Sequence, residues 1–171
     1  MRWGANAAAW PVALYIRTQR DRLSSRGTPL SAPIKEQLSP YFASADLDRV
    51  RVVETDPLPI PRLPFRQAAR RLGLEFLAPE RVAAITFDYV IASRQPMAPR
   101  LLFHELVHVV QFRLLGVSAF ARLYTRGFVD GSSYLAIPLE RCASDLECRF
   151  DTDPSPFDVE PEVARWIADA G

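Results

Sequence analysis

The sequence contains little histidine and little cysteine, and it has almost no net charge. Of its 171 residues two are histidine and two are cysteine, and 21 basic residues face 20 acidic ones, which leaves a net charge of +1. A balanced charge excludes a general electrostatic attraction to nucleic acid, so we expect no nucleic-acid partner. The hydrophobic fraction of 49% and the charged fraction of 24% are typical of a soluble globular protein.

The two cysteines, Cys142 and Cys148, are not expected to form a disulfide. If both lie on one helix, six residues separate them by roughly 9 Å along its axis. A disulfide needs Cα atoms closer than about 7 Å. Two free thiols are typical of a reducing compartment, which favours a cytoplasmic location.

Two further absences concern membranes and export. The N-terminal stretch WGANAAAWPVALYI is apolar like a signal peptide, but Asn6 and Pro11 interrupt it. The stretch RTQRDR then stands where a small-residue cleavage site should lie, so a cleaved signal peptide is not favoured. No consecutive apolar run approaches the roughly 20 residues that span a bilayer, so we expect no transmembrane segment.

The length and the hydrophobic pattern predict one α+β domain over residues 1–171. Fifteen prolines, in clusters, favour many short elements. The predicted regions are N-terminal helices in 6–42, a sheet region in 46–93, further helices in 99–150 and a C-terminal helix in 160–169.

Within the sheet region, alternating or β-branched stretches predict strands at 48–54, 81–87 and 89–93. A short helix is predicted at Phe65–Leu72, ending at Gly73. A long apolar helix is predicted from 99 to 115, ending at Gly116, and residues 118–126 are also expected to be helical. Pro138 suits the first turn of the next helix.

Both histidines lie in the stretch LLFHELVHVVQF, residues 101–112. His104 and His108 are four residues apart, so on a helix they lie one turn apart on the same face, where two imidazoles can bind one Zn²⁺. Glu105 follows the first histidine and is placed to accept a proton from a bound water. This is the His-Glu-x-x-His pattern of the zincin metallopeptidases.

The alternative is a core helix with two incidental histidines, because the stretch is apolar on nearly every side. Burying two imidazoles and a carboxylate there costs several kcal/mol unless each group is paired or bound to metal. A metal ion removes that cost, so the metal site is the favoured interpretation.

Catalytic zinc usually has three protein ligands and a water molecule, and the chain has no third histidine. The third ligand must then be a carboxylate or a cysteine. Glu140 is our prediction, because it comes early on a predicted helix whose small residues Ala143 and Ser144 would allow close packing against the zinc helix. The alternative is a first-turn glutamate that is favoured only by the helix dipole.

Other residues remain candidates for the site. Glu147 is the second choice for the ligand, and Asp130 follows it. The two cysteines are soft donors but do not share a face with Glu140. Asp145 or Ser144 could orient a histidine, and Tyr134 could stabilise an oxyanion, although a packing role is the alternative. Zincins bind peptides along a strand edge, a role predicted here for Tyr89–Ser93, with an inner strand as the alternative.

The segments LDRVRVVETD, AARRLGLEFLA, AITFDYVIAS, RLLFHELVHVVQ and IPLERCASDLE, in this order over residues 46–150, resemble a bacterial zinc metallopeptidase family called the eCIS core domain. The resemblance implies a zincin-like mixed sheet followed by an active-site helix. It also implies His104 and His108 as zinc ligands, Glu105 as the catalytic residue, and an association with contractile injection systems that would make export as cargo an alternative to the cytoplasm. Phe112 departs from the family's second glutamine, and Cys142 and Ser144 replace an alanine and an acidic residue.

The sequence therefore predicts a zinc-dependent, gluzincin-like hydrolase that cleaves a peptide or protein substrate, with Zn²⁺ held by His104, His108 and Glu140. One alternative is a catalytically silent, zinc-stabilised binding or cargo module. Another is a metal-free helical interaction domain. The complete motif favours the protease, because a purely structural zinc site does not need Glu105.

Overall fold

The computed structural model describes residues 3–60, 82–130, 137–153 and 155–170 of the chain. These residues form an α+β fold, as the sequence predicts, and the predicted helix Phe65–Leu72 lies outside them. In chain order the elements are α1 (Trp3–Ser24), β1 (Thr28–Pro29), α2 (Ala32–Leu38), α3 (Ser44–Arg49), β2 (Arg51–Glu54), β3 (Ala84–Phe87), β4 (Val90–Ser93), α4 (Pro99–Asp130), α5 (Pro138–Thr152) and α6 (Val159–Ala170).

The four strands form one small mixed sheet in the order β1-β2-β4-β3. The inner strand β4 runs parallel to β2 and antiparallel to β3. A two-residue turn joins β3 to β4, and in it Asp88 takes a positive φ of 61°. Aspartate tolerates this conformation better than most residues, so the tight hairpin is compatible with the sequence.

The prediction that Tyr89–Ser93 forms a cleft edge is wrong, and the inner-strand alternative is correct. All four residues of β2 pair with β4, which fills the side of β4 that an added peptide would need. Among the described strands, β1 and β3 lie at the two edges of the sheet instead.

Two predicted boundaries also differ from the structure. The strand predicted from residue 48 begins only at Arg51, because Asp48 and Arg49 belong to the last turn of α3. The first backbone bond of the β2 ladder is donated by the Arg51 N–H to the Tyr89 carbonyl, which is why strand structure starts there. The N-terminal helical region predicted from the sequence extends to residue 42, whereas α2 ends at Leu38.

The sheet is covered on both faces, because cross-strand neighbours point to the same side. Val52, Ile91 and Thr86 are successive partners across three strands, and they face the first half of α4. Val53 and Ala92 pack on the opposite face, against α1. The sheet therefore forms a rigid floor beneath the helix that carries both histidines.

Helix α4 is broken at Gly116, where the backbone takes φ 70° and ψ 157°. Eight residues of straight helix would separate Phe112 from Phe120 by about 12 Å. Their rings instead stack with centroids 3.7 Å apart. The chain thus turns back at Gly116, which confirms the predicted helix end at that residue and the predicted second helical segment after it.

Residues Pro99–Gly127 of α4 are long and apolar enough to cross a membrane by length and composition alone. The prediction that the chain has no transmembrane segment stays a prediction, because the core helix of a soluble protein can have the same length and composition. Half of the apolar window is buried inside the fold, and the break at Gly116 lies within the same segment.

We expect Gly116→Ala to lower the free energy of unfolding by about 1–3 kcal/mol, as measured by urea denaturation. An added Cβ would meet no atom within 4 Å, so the cost comes from the backbone conformation and not from a clash. The control is Ser118→Ala, an exposed position two residues further on, which should change stability by less than about 0.5 kcal/mol. A Gly116→Ala protein as stable as the control would contradict the assigned break.

Candidate metal centre

The two histidines lie one turn apart on the same face of α4, as their spacing predicts. Their Nε2 atoms are 3.2 Å apart. His104, Glu105 and His108 are all buried, with at most 8% of each residue exposed. Neighbouring apolar residues such as Leu106 and Val107 pack into the core, so the helix that presents the imidazoles is held on several sides.

Helix α5 brings Glu140 to the two imidazoles. Pro138 occupies the first turn of α5, as predicted, and Glu140 follows in that turn. Its Oε2 atom is 3.3 Å from Nε2 of His108 and 3.5 Å from Nε2 of His104. Ala143, one turn later, is fully buried in the cluster that includes α4, so the small side chain allows the close helix packing that the sequence predicts.

These three atoms have the spacing of ligands around one metal ion. In a tetrahedral site with bonds of about 2.0–2.1 Å, any two ligand atoms lie about 3.3–3.4 Å apart. The observed separations of 3.2, 3.3 and 3.5 Å agree with that value. The buried group His104, His108 and Glu140 could therefore hold a metal ion.

Each imidazole is bound to a protein group through its other nitrogen. Nδ1 of His104 lies 2.9 Å from Oε2 of Glu147, and Nδ1 of His108 lies 2.8 Å from Oε1 of Gln111. A carboxylate oxygen and an amide oxygen can only accept, so both Nδ1 atoms must donate. A neutral ring then keeps its lone pair on Nε2, the atom that faces Glu140.

The centre therefore concentrates lone pairs that need a cation between them. Oε2 of Glu140 is buried and accepts no hydrogen bond. Burial disfavours a charged His108, but the carboxylates of Glu140 and Glu105 outweigh burial and raise the pKa of His108 to about 9. Burial likewise disfavours the Glu140 carboxylate, and the two histidines nevertheless hold its pKa below the ordinary value. Either a proton or a metal ion can supply the positive charge.

Glu105, the predicted catalytic residue, lies beside this group and contacts the sheet. The hydroxyl of Thr86, on the edge strand β3, lies 2.6 Å from Oε2 of Glu105 and is its hydrogen-bond partner. Burial raises the pKa of Glu105, while His108, His104 and the Thr86 hydrogen bond partly offset that rise. The carboxyl group is thus fixed in orientation and holds a proton more readily than an exposed glutamate does.

A tyrosine that the sequence reasoning missed belongs to the site. Burial, and then the negative charge of Glu140 and a hydrogen bond to it, raise the pKa of Tyr124 well above its ordinary value. Sixteen residues of straight helix would place Tyr124 about 24 Å from His108, so only the reversal at Gly116 brings it here. The predicted Tyr134 lies outside the described residues.

The other predicted candidates take different positions. Glu147 is placed to orient His104 and not to bind the metal, since it contacts the far nitrogen of the ring. The expectation that Asp145 or Ser144 orients a histidine is therefore wrong. The Asp145 side chain is 58% exposed and pairs with Arg141, because it lies on the outer face of α5. Both cysteines are free thiols, one buried and one exposed, as expected from their spacing.

Two further contacts could have been suspected from the sequence. Glu147 lies seven residues after Glu140, which is two helical turns, so both can face α4. Gln111 is a polar residue within an apolar stretch and three residues after His108, which puts it on the same helix face. The partner of Glu105, Thr86, has no such signal, because the packing of β3 against α4 is not encoded in local spacing.

No protein-family model matches the sequence, and comparison with curated proteins and with solved structures likewise found no match. The support for a metal centre is therefore the geometry of its own residues.

We expect the purified protein to bind one equivalent of divalent metal. Substitutions of Glu140 and Glu147 on α5 should show which residue binds the metal and which only orients a histidine. Glu140→Ala should abolish stoichiometric binding at micromolar concentration. Glu147→Ala should keep the stoichiometry but weaken binding about 10–100-fold. Competition with a chromophoric chelator measures both effects, and exposed Asp145→Ala is the matched control. Loss of binding in Glu147→Ala with retention in Glu140→Ala would reverse the assignment.

We also expect the metal-free protein to lose stability as the pH rises from about 6.5 to about 9. The His108 pKa is raised from 6.5 to about 9 in the folded state. The folded chain thus holds this proton more tightly than the unfolded chain does. Its contribution is fully present below pH 6.5 and is lost as the pH passes through the folded-state value.

Thermal unfolding in the presence of a chelator, between pH 6 and pH 9.5, measures this loss. With saturating metal the loss should disappear, because the metal ion replaces the proton. A midpoint of the chelated protein that stays level or rises over this range would contradict the assigned charge on His108.

Proposed function

We propose that the protein is a zinc-dependent metallopeptidase in which His104, His108 and Glu140 hold Zn²⁺ and Glu105 acts as the general base. The observation that carries the proposal is the convergence of three buried ligand atoms, 3.2 to 3.5 Å apart, beside a separately anchored carboxyl group. A purely structural metal site would need the three ligands but not Glu105.

The donor set favours zinc. Two imidazole nitrogens and one carboxylate oxygen leave a fourth tetrahedral position open, which is the ligand arrangement of catalytic zinc. When bound, the ion lowers the pKa of its water to about 7 and polarises a carbonyl group. The protein residues then have the tasks of orienting the reactants and of moving protons.

Glu105 is suited to the proton transfers. Its Oε2 is engaged by the Thr86 hydroxyl, which leaves Oε1 as the atom that can accept a proton from water. The raised pKa of its carboxyl group brings it closer to the operating pH of a general base, which later returns the proton to the leaving amine.

The proposed substrate is an extended peptide segment, and β3 is the strand beside which it would lie. Of the strands that the structure describes, β3 is at the edge next to the catalytic residue, and Thr86 connects the two. An added peptide strand gains backbone hydrogen bonds along such an edge. This supports β3 in place of β4 as the element that would align a peptide with Glu105.

One observation favours a second candidate, a zinc-stabilised binding or cargo module without catalysis. Each of the four central side chains belongs to a residue with at most 8% exposure, so the site as it stands gives water and substrate little access. Such a module would keep the metal centre and depend on it for stability. The resemblance to the eCIS core domain adds association with a contractile injection system, and export, as proposals under either function.

We expect Glu105→Gln to separate the two candidates. The zinc-loaded wild type should cleave a fluorogenic peptide library or unfolded casein, and the variant should be about 10²–10⁴-fold slower while keeping its zinc. Glu36→Gln, an exposed glutamate on α2, is the matched control and should match the wild type.

Full activity in Glu105→Gln would contradict the assigned general base. A zinc-loaded wild type that cleaves no member of the library, and that loses thermal stability on chelation, would support the silent module instead.

A further inference from the structure

Gln111 is the most deeply buried polar residue that contacts the metal centre. It lies one turn after His108 on α4, and none of its surface is exposed. Its Nε2 donates a 2.9 Å hydrogen bond to the carbonyl of Leu139, and its Oε1 lies 2.8 Å from Nδ1 of His108. It thus joins one predicted ligand to the residue that immediately precedes another, Glu140.

These two contacts form a chain with only one consistent polarity. The Leu139 carbonyl can only accept, so the side-chain amide of Gln111 must turn its NH₂ group towards it. The amide oxygen then faces His108 and can only accept from Nδ1–H. The backbone of α5 therefore determines which nitrogen of His108 carries the proton and which is left for a metal ion.

The same chain connects the two helices that carry ligands. Leu139 and Glu140 are consecutive residues in the first turn of α5, whereas His108 and Gln111 are on α4. A displacement of α5 that moved Glu140 away from His108 would also break the bond between Gln111 and Leu139. The bond therefore acts on the position of Glu140 as well as on the ring of His108.

His104 is held differently. Its partner Glu147 has a side chain that is 18% exposed and is shared with Arg100, which itself is about half exposed. The Glu147 side chain is partly exposed, so water could take over part of its contact with that ring nitrogen. Gln111 is fully buried, so its loss would remove the hydrogen-bond partner of both the Nδ1–H of His108 and the Leu139 carbonyl.

We propose that Gln111 is a positioning residue of the metal centre, which directs Nε2 of His108 towards the ion and holds Glu140 within reach of it. The proposal rests on the metal centre of the proposed function but not on catalysis, since it concerns metal affinity. The proposal predicts that removal of Gln111 weakens metal binding through both His108 and Glu140, although Gln111 is uncharged and does not touch the metal.

The main experiment compares the zinc affinity of wild type and Gln111→Leu by chelator competition, and the visible spectrum of the Co²⁺-loaded proteins. Leucine is similar in size but can make neither hydrogen bond. We expect an affinity about 10–100-fold lower and a changed Co²⁺ spectrum. Thr125→Val is the matched control, because it removes a buried hydroxyl from α4 whose bond goes to the Ala121 carbonyl. Its affinity and spectrum should equal those of the wild type.

A double-mutant cycle with Glu140→Ala tests the second role. If Gln111 acts partly through Glu140, then Gln111→Leu should cost less Co²⁺ affinity when Glu140 is already absent, as measured by titration at millimolar Co²⁺, where weak binding by the Glu140→Ala proteins can be followed. We expect the combined loss to be at least about fivefold smaller than the product of the single losses. Losses that multiply fully would overturn the link to Glu140.

If Gln111→Leu does not fold, an NMR measurement on the wild type tests the proposal instead. In the zinc-loaded protein, imidazole NMR should show Nδ1–H protons on both histidines, with the proton of His108 exchanging more slowly than that of His104. Absence of the His108 proton, or equally fast exchange, would overturn the proposal.

Different results would overturn the metal centre and the role of Gln111. A wild type that binds neither Zn²⁺ nor Co²⁺ removes the metal centre and the proposed function together. Normal binding in both wild type and Gln111→Leu overturns the role of Gln111 alone. Normal binding without peptide cleavage leaves the role of Gln111 supported by the affinity measurements and removes only the peptidase activity.

Discussion

The rest of the structure depends on one electrostatic constraint: three lone-pair atoms are buried within 3.5 Å of one another. Nε2 of His104, Nε2 of His108 and Oε2 of Glu140 face a common point, and hydrogen bonds on the outer side of each ring keep the imidazoles turned inwards. Without a cation these atoms repel one another in a medium that screens poorly. A metal ion turns the repulsion into three favourable bonds.

The fold meets this constraint by fixing the helices from outside. The sheet supports the first half of α4, α1 packs in the cluster that contains Phe112 and Phe120 on either side of the break, and Thr86 on β3 anchors the carboxyl group of Glu105. The break at Gly116 returns the second half of α4 towards the centre, so that Tyr124 reaches Glu140. The backbone conformation of Gly116 therefore determines which part of α4 lies next to Glu140.

Helical periodicity made the residues at the centre of the site predictable. The positions of the residues that contact them depend on tertiary packing. His104, His108 and Glu105 follow from spacing on one helix, and Glu140 followed from counting the remaining ligands and from the small residues beside it. The orienting contacts depend on how α4 meets α5 and β3, at angles that local sequence does not encode. This is why Glu147 was ranked as a ligand, why Thr86 and Tyr124 were missed, and why the inner strand β4 was predicted as an edge.

X-ray absorption spectroscopy at the zinc edge tests the central claim most directly, because it identifies the atoms around the ion without a substrate. We predict two imidazole nitrogens and two oxygens at about 2.0–2.2 Å, one oxygen from Glu140 and one from water. A sulfur scatterer at about 2.3 Å, or a spectrum without imidazole scattering, would contradict the account.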